Sequence, residues 1–119
     1  MKKKWKDAWV AALRSGEYKK GRGALCVGGS RFCCLGVLTD LVKKSYKKPE
    51  EWEETNEKEP QGYRYEIFGT DTFLSNKVQK VTGLDSKDPY AESKERSLAD
   101  LNDSGWSFKK IADLIEKEL

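Results

Sequence analysis

The chain of 119 residues contains no histidine. Histidine is the usual general base, the usual proton shuttle and the commonest metal ligand, so its absence excludes a Ser-His-Asp triad, a Cys-His pair and any zinc site that uses histidine. Long hydrophobic runs are missing too, and no segment approaches the length of a transmembrane helix. The basic start, MKKKWKDAWV, is not followed by an apolar run. We therefore expect no signal peptide, a cytoplasmic location and no membrane partner.

Cysteine is scarce, with three residues, Cys26, Cys33 and Cys34. The count is odd and two of them are adjacent, a spacing at which a disulfide would be strained. We expect free thiols in a reducing compartment and not a disulfide framework. The C-x6-CC spacing does not match a structural zinc pattern, so we predict neither a metal nor a cofactor.

Charge, in contrast, is abundant. Charged residues make up 36% of the chain and hydrophobic residues 37%, which predicts a single domain with a small core. Residues 1–50 hold 13 Lys/Arg and 4 Asp/Glu, a net charge of +9, whereas residues 51–119 hold 10 and 16, a net charge of −6. Either the N-terminal side binds an anionic partner, or the two halves neutralise each other across the fold.

Hydrophobic periodicity predicts an amphipathic helix over residues 4–15. Ala24–Val27 and Ser30–Cys33 flank the pair Gly28-Gly29, which predicts a β-hairpin with a two-residue turn of positive φ. A second amphipathic helix is predicted from about Cys34 to Lys44, because apolar residues recur there at helical spacing and lysines occupy its last turn.

The second half of the chain is mostly polar. Residues 45–62 are predicted to form a loop, with a short strand at Glu51–Glu54 that pairs with Gly62–Ile67. A short helix is predicted over Thr72–Val81 and a polar loop over residues 85–95. Residues 97–119 predict a helical hairpin in which Ser107 caps the last helix. The expected fold is α+β: a small antiparallel sheet packed by several short helices, with a C-terminal helical hairpin.

The stretch Tyr18–Leu41 carries the candidate site, because it holds five glycines, four basic residues and all three cysteines. Glycines let backbone N–H groups approach an anion, and basic side chains neutralise it. Basic side chains would contact phosphate, N–H groups around Gly21–Gly23 and at the helix start at Cys34 would complete the cradle, and two tyrosines would contact base or ribose. The alternative to a ligand-binding loop is a solvent-exposed connection between a helix and a strand. The predicted ligand-binding residues are Tyr18, Lys19, Lys20, Gly21, Arg22, Gly23, Arg31, Cys33, Cys34 and Tyr65.

The cysteines also allow a catalytic hypothesis. A thiol at a helix N-terminus has a lowered pKa and is nucleophilic, but without histidine its base would have to be Asp40, a lysine or the substrate. Free cysteines more often pack as small hydrophobic residues. We therefore predict core roles for Cys33 and Cys34 over catalysis, and no catalytic residue.

The C-terminal hairpin has the outline of a helix-turn-helix. A DNA-reading helix exposes Arg, Lys, Asn or Gln to bases and phosphates. The exposed charges of this helix nearly cancel, which disfavours DNA as a partner. They are Lys109, Lys110, Asp113, Glu116, Lys117 and Glu118.

Three motifs carry a resemblance to a known family. They are W-x2-AL-x-SG-x-Y-x2-G-x-G-x-L at residues 9–25, CCLGVL at residues 33–38 and LND-x-G-x-SF-x2-IAD-x-IE at residues 101–116. Together they resemble a family of small proteins encoded by phages and prophages. The resemblance covers both ends of the chain and implies a small protein that acts in the host cytoplasm early in infection. Many such proteins counter host defence, and some sequester nucleotide immune signals, often as oligomers.

The predicted function is therefore a phage counter-defence binding protein, not an enzyme. It would sequester a phosphate-bearing nucleotide signal, such as a cyclic oligonucleotide or an ADP-ribose derivative, and could form a homo-oligomer. One alternative is an inhibitor that binds a host defence enzyme and uses the acidic second half as a nucleic-acid mimic. A second is a DNA-binding module built on the C-terminal hairpin, and a distant further one is a cysteine enzyme.

Overall fold

The computed structural model describes residues 1–119 and contains five α-helices and seven short strands. The predicted α+β fold is confirmed. The helices are α1 (Lys3–Arg14), α2 (Cys34–Lys44), α3 (Asn76–Thr82), α4 (Leu98–Asp103) and α5 (Phe108–Glu118). The strands are β1 (Lys19–Lys20), β2 (Cys26–Val27), β3 (Arg31–Phe32), β4 (Glu53–Glu59), β5 (Gly62–Glu66), β6 (Tyr90–Ala91) and β7 (Arg96–Ser97).

Five of the strands form one sheet in the order β1-β3-β2-β5-β4, and β6 pairs with β7 separately. The main sheet is mixed and not antiparallel as predicted, because β1 runs parallel to β3 with Lys19 opposite Arg31. A strand of two residues has no alternation of polar and apolar side chains, so the sequence pattern could not reveal β1.

The predicted hairpin at residues 24–33 is present, with a different connection. Val27 pairs with Arg31, so three residues join β2 to β3 instead of two. Gly28 and Gly29 both adopt positive φ, 63° and 76°, as their pairing predicted, and Ser30 is the additional residue.

The loop predicted over residues 45–62 is wrong in its second half, where the structure contains the strand β4. The strand β4 runs to Glu59, well past the expected end at Glu54, and pairs with β5 through a register shift between Glu54 and Lys58. Its sequence, EETNEKE, lacks apolar alternation because β4 is an edge strand of exposed charged residues. The predicted loop over residues 85–95 likewise contains β6 and a 3₁₀ turn, Glu92–Lys94.

The helices match their predictions more closely. The bounds of α2 are those expected, and Ser107 caps α5 by accepting the Lys110 N–H group. The shorter α3 begins at Asn76 and not at residue 72, because the Ser75 side chain caps it there. None of the helices combines the length and apolar character needed to cross a bilayer.

A single core of twenty buried residues joins the helices to the sheet. Helix α1 packs along α5 and α2. The fully buried Trp9 of α1 donates its indole N–H to the Cys34 carbonyl at 2.9 Å, which fixes α1 against the start of α2. The glycine-rich connection between β1 and β2 begins and ends in the main sheet.

Candidate functional site

A groove of about 500 Å³ opens beside the glycine-rich connection between β1 and β2. Three separate parts of the chain form it: the connection itself, the turn between β4 and β5, and the C-terminal end of α4. We call it the loop groove. The residues that line it are Lys20, Arg22, Gly23, Glu59, Pro60, Gln61 and Asp103.

The two basic side chains of the loop groove lack carboxylate partners. Neither Lys20 nor Arg22 forms an ion pair within the chain. Partial burial lowers the pKa of Lys20 and the neighbouring Arg22 charge lowers it further, while Asp103 acts in the opposite direction. An anion in the groove would offset both effects, because a nearby negative charge favours the charged form of Lys20.

Two consecutive backbone N–H groups also face this region. The N–H of Arg22 donates to Gln61 Oε1 at 2.9 Å, and the N–H of Gly23 donates to Asp103 Oδ1 at 3.2 Å. Both acceptors are side-chain oxygens on exposed residues. Successive N–H groups that bind oxygen atoms form the kind of concavity in which proteins hold anions.

Two features favour glycine at residue 23. Its φ is +87°, and a Cβ atom there would lie 2.0 Å from Glu59 Oε1. Glu59 is held by Arg64, whose guanidinium lies 3.2 Å from Glu59 Oε2. A side chain at residue 23 would therefore displace the wall that β4 contributes.

The fully buried side chain of Asn102 holds the glycine-rich connection between β1 and β2 in place through hydrogen bonds. Its Nδ2 donates to the Gly21 carbonyl at 2.9 Å, and its Oδ1 accepts the Cys34 N–H at 3.2 Å. One side chain of α4 thus ties the loop to the start of α2. Gly36, in the first turn of α2, lets the helix pack closely against the backbone of Leu25, because a Cβ atom there would clash with the Leu25 carbonyl oxygen.

The start of α2 does not offer the free N–H groups that the sequence predicted for a phosphate. The Cys34 N–H binds Asn102, the Cys33 N–H binds the Leu25 carbonyl at 3.1 Å, and the Gly36 N–H binds Cys33 Sγ at 3.4 Å. Gly21 is buried, and its N–H donates to the Phe32 carbonyl at 2.7 Å. These groups support the loop groove without lining it.

All three cysteines are free and buried. Burial raises the pKa of Cys26 and of Cys33 to about 12 and raises that of Cys34 well above its ordinary value. A thiol with a raised pKa is a poor nucleophile, so the geometry favours the core roles expected for Cys33 and Cys34. The lowered pKa of the catalytic hypothesis is contradicted, because desolvation outweighs the N–H groups at the helix start.

The remaining predicted contacts lie away from the loop groove. The Tyr18 hydroxyl donates to Asp40 Oδ2 at 2.6 Å, and burial with this bond raises the pKa of Tyr18 to about 12. The Tyr65 hydroxyl donates to Glu54 Oε2 at 3.2 Å. Neither tyrosine lines the groove.

Lys19 and Arg31 lie side by side in β1 and β3, both exposed and both without an ion pair. They do not line the groove, and Arg31 donates to the Lys20 carbonyl at 3.3 Å. The structure thus brings together Lys20, Arg22 and Gly23 from the predicted set and adds walls that the sequence pattern missed.

The uneven charge of the sequence is only slightly neutralised inside the fold. Among the basic residues of the first fifty positions, only Arg14 and Lys43 pair with carboxylates from residues 51–119. Arg14 binds Asp113 and Glu116 of α5, so these two acids are already engaged. Most of the N-terminal positive charge therefore remains available to a partner.

Trp106, in the C-terminal hairpin, lies next to two lysines, Lys94 of the 3₁₀ turn and Lys110 of α5. The ammonium groups of Lys94 and Lys110 lie 5.5 Å and 5.9 Å from the centre of the Trp106 ring. This arrangement is a cation–π cluster on the surface, and it holds no group of acidic or thiol side chains suited to a metal ion. No such group is found elsewhere in the chain.

The motifs quoted above therefore meet at one place: Trp9, Cys34, Gly36 and Asn102 lock α1, α2 and α4 around the glycine-rich connection. A family model matches residues 1–119, the whole chain. The chain belongs to the family described as a domain of unknown function (DUF8296). No curated protein and no solved structure matches it.

Proposed function

We propose that the loop groove binds a phosphate-bearing nucleotide signal and that the protein acts by sequestering this signal without turnover. The observation that carries the proposal is the meeting of two unpaired cations with two consecutive N–H groups. Lys20 and Arg22 supply the charge, and the N–H groups of Arg22 and Gly23 supply directed hydrogen bonds. Phosphate is the biological anion that best matches this combination of charge and N–H donors.

The present acceptors of the two N–H groups are replaceable. Gln61 Oε1 and Asp103 Oδ1 are side-chain oxygens at the protein surface. For Arg22, a phosphate oxygen would replace the neutral Gln61 amide oxygen and form a stronger, charge-assisted bond. For Gly23, it would replace one charged acceptor by another, because Asp103 is a carboxylate, which also accepts a hydrogen bond from Asn102 Nδ2 at 3.2 Å. Asp103 and Glu59 oppose an anion electrostatically, so binding requires Asp103 to turn away from Gly23.

The volume of about 500 Å³ suits a nucleotide. Small-molecule sites span roughly 300–1,000 Å³. Lys19 and Arg31 are exposed and unpaired on the neighbouring strands β1 and β3, although neither lines the groove.

Sequestration fits this site better than catalysis. The thiols are buried with raised pKa values, and the chain offers no histidine as a base. The resemblance to phage- and prophage-encoded proteins supports a counter-defence role in the host cytoplasm. A homo-oligomer would place two grooves in one particle and raise the capacity for a dimeric signal.

The first experiment is a thermal-shift screen of the purified protein. The panel contains cyclic dinucleotides, cyclic trinucleotides, ADP-ribose derivatives and mononucleotides. A ligand that binds only the folded state must raise the unfolding temperature. We expect a saturable rise with one class of phosphate-bearing compounds and none with the matching nucleosides.

The paired variant Lys20→Gln/Arg22→Gln tests the site itself. Glutamine removes both charges without adding carboxylates beside Glu59 and Asp103. We expect the ligand affinity to fall at least about a hundredfold, since hydrogen bonds to charged groups contribute roughly 1.5–3 kcal/mol each and two such groups are removed. The matched control is Lys47→Gln/Lys48→Gln, which removes the same charge from an exposed loop and should bind normally. Equal affinities of the two variants would remove the groove from consideration.

A second candidate function is inhibition of a host defence enzyme by the acidic surface. Four glutamates surround a cleft of about 320 Å³ next to the exposed edge of β4. They are Glu50, Glu51, Glu53 and Glu66. In infected cells, loss of protection on changing these four residues to glutamine, with protection kept in Lys20→Gln/Arg22→Gln, would favour this function over sequestration.

A further inference from the structure

Two carboxylates line the loop groove, and only one of them has a cationic partner. Glu59 is paired with Arg64, whereas Asp103 forms no ion pair within the chain. Asp103 Oδ1 instead accepts the Gly23 N–H and one N–H of the Asn102 side chain, both at 3.2 Å. The unpaired carboxylate therefore occupies one of the two N–H groups that the phosphate of a ligand would use.

The position of Asp103 does not favour a carboxylate for the sake of folding. It is the last residue of α4, where the partial negative charge of the helix end repels an acid, and its side chain is exposed. Its charge acts instead on the groove. Burial and the charge of Arg22 lower the pKa of Lys20, and the charge of Asp103 opposes them. Asp103 thus does in part what a bound anion would do.

The two N–H groups of the groove differ in the strength of their present acceptors. A backbone N–H has one hydrogen to donate, so the Gly23 N–H cannot fully serve Asp103 and a phosphate oxygen at once. The Arg22 N–H donates to the neutral Gln61 Oε1 at 2.9 Å, which a charged oxygen displaces with a gain. Displacing Asp103 brings no such gain and leaves a carboxylate near the bound anion. Asp103 is therefore the stronger competitor of a ligand.

We propose that Asp103 is an internal competitor, which closes the loop groove in the ligand-free protein and sets its affinity for phosphate groups. The inference rests on the proposed function, because it concerns access to the same N–H groups. A phosphate binds fully only when Asp103 has left Gly23. The apparent dissociation constant is then the intrinsic one divided by the fraction of molecules in this open state. A ligand with further contacts shifts the protein to the open state more than a free phosphate ion does.

The test compares two substitutions of Asp103, with inorganic phosphate as the probe. Alanine removes the charge and the acceptor, whereas asparagine removes the charge and keeps an oxygen that accepts the Gly23 N–H. Affinities come from the saturation of the Gly23 amide shift in ¹⁵N NMR titrations at constant ionic strength. We expect phosphate to bind at least about tenfold more tightly to Asp103→Ala and about threefold more tightly to Asp103→Asn than to the natural chain.

Two further variants and one measurement without ligand serve as controls. Asp85→Asn removes a negative charge from an exposed bend and should leave the phosphate affinity within about twofold of its natural value. Gln61→Ala frees the Arg22 N–H from a neutral acceptor and should strengthen binding less than Asp103→Ala does. Without ligand, the Gly23 amide should exchange its hydrogen faster in Asp103→Ala than in the natural chain, because the closing bond is gone.

The outcomes separate the two proposals. Equal gains in Asp103→Ala and Asp103→Asn would mean that Asp103 acts through its charge alone, and this result would overturn the inference, as would no gain in either variant. The proposed function would survive both results if the natural chain binds and Lys20→Gln/Arg22→Gln does not. Absence of binding by phosphate and by every nucleotide of the thermal-shift panel, in the natural chain and in Asp103→Ala alike, would overturn the proposed function and this inference with it.

Discussion

Two polar clusters of this protein differ in how far the chain itself completes them. Asp40 accepts hydrogen bonds from the Tyr18 hydroxyl at 2.6 Å and the Trp52 indole at 3.0 Å, and the Lys44 ammonium lies 3.1 Å away. In the loop groove, Lys20 and Arg22 have no carboxylate partner.

The difference indicates where the protein stabilises itself and where it can bind. A polar group whose partners all come from the chain contributes to folding and has little left to offer a ligand. A cation without a partner contributes little to folding and is available to an anion. Asn102 belongs with Asp40, because it is buried and bonded on both sides to the backbone.

The largest effect on stability is expected from Asn102→Leu, which removes a polar group whose partners all come from the chain itself. The substitution leaves the buried Gly21 carbonyl and Cys34 N–H without their partner. Each buried unpaired group costs about 1–3 kcal/mol, so the free energy of unfolding should fall by roughly 2–6 kcal/mol. Urea unfolding measures this, and Asn56→Leu on the exposed strand β4 is the control. Equal stability of the two variants would contradict the role given to Asn102.

Asp40→Asn should have the next largest effect. The amide keeps the shape of the side chain but loses the charge that the three donors share. We expect a loss of about 2 kcal/mol in the free energy of unfolding. Asp7→Asn is the matched control, since Asp7 also binds a lysine four residues away but is exposed, and it should change stability little.

The dependence of stability on pH provides a second test of the Asp40 cluster. Burial alone would raise the pKa of Asp40, but hydrogen bonds from Tyr18, Trp52 and Lys44 outweigh it and hold the pKa below the ordinary value of 3.8. The stabilisation is therefore complete above pH 3.8 and is lost as the pH falls through the lower pKa of the folded state. The stability gap between the natural chain and Asp40→Asn should shrink below pH 3.8 and stay constant above it. A gap that grows on acidification would show that the pKa is raised.

The smallest effect on folding is expected from Lys20→Gln/Arg22→Gln. No ion pair is lost, so the unfolding temperature should change by less than about 2 °C. The same variant should lose the ligand-induced rise in unfolding temperature. A large destabilisation without ligand would mean that these cations are structural, as in the Asp40 cluster.

The sequence revealed those parts of the fold that depend on local signals. Helix α2 was predictable from the apolar residues that recur at helical spacing between Cys34 and Lys44. The cap of α5 was predictable because a serine, Ser107, directly precedes the first helical residue, Phe108. The strands β1 and β4 were missed or shortened, because a two-residue strand has no period and an exposed edge strand has no apolar face. The extents of β1 and β4 are set by their pairing with strands elsewhere in the chain, and the local sequence does not show such pairing.

The candidate site, like the fold, could be predicted only where it depends on residues that are close in sequence. Glycines and lysines close in sequence indicated the connection at residues 20–23, but its acceptors lie far along the chain. Gln61 is 39 residues from Arg22, and Asp103 is 80 residues from Gly23. The tyrosines lie outside the groove, and the Tyr18 hydroxyl donates to Asp40 on α2, a contact that composition does not reveal.

The most direct measurement is an NMR titration of the ¹⁵N-labelled protein with the compound that gives the strongest thermal shift. The account predicts that the backbone amide signals of Arg22 and Gly23 move saturably, together with the Gln61 side-chain amide that the phosphate displaces. Largest changes at Trp106 and its lysines, with Arg22 and Gly23 unmoved, would place the ligand elsewhere and contradict the claim that the loop groove is the binding site.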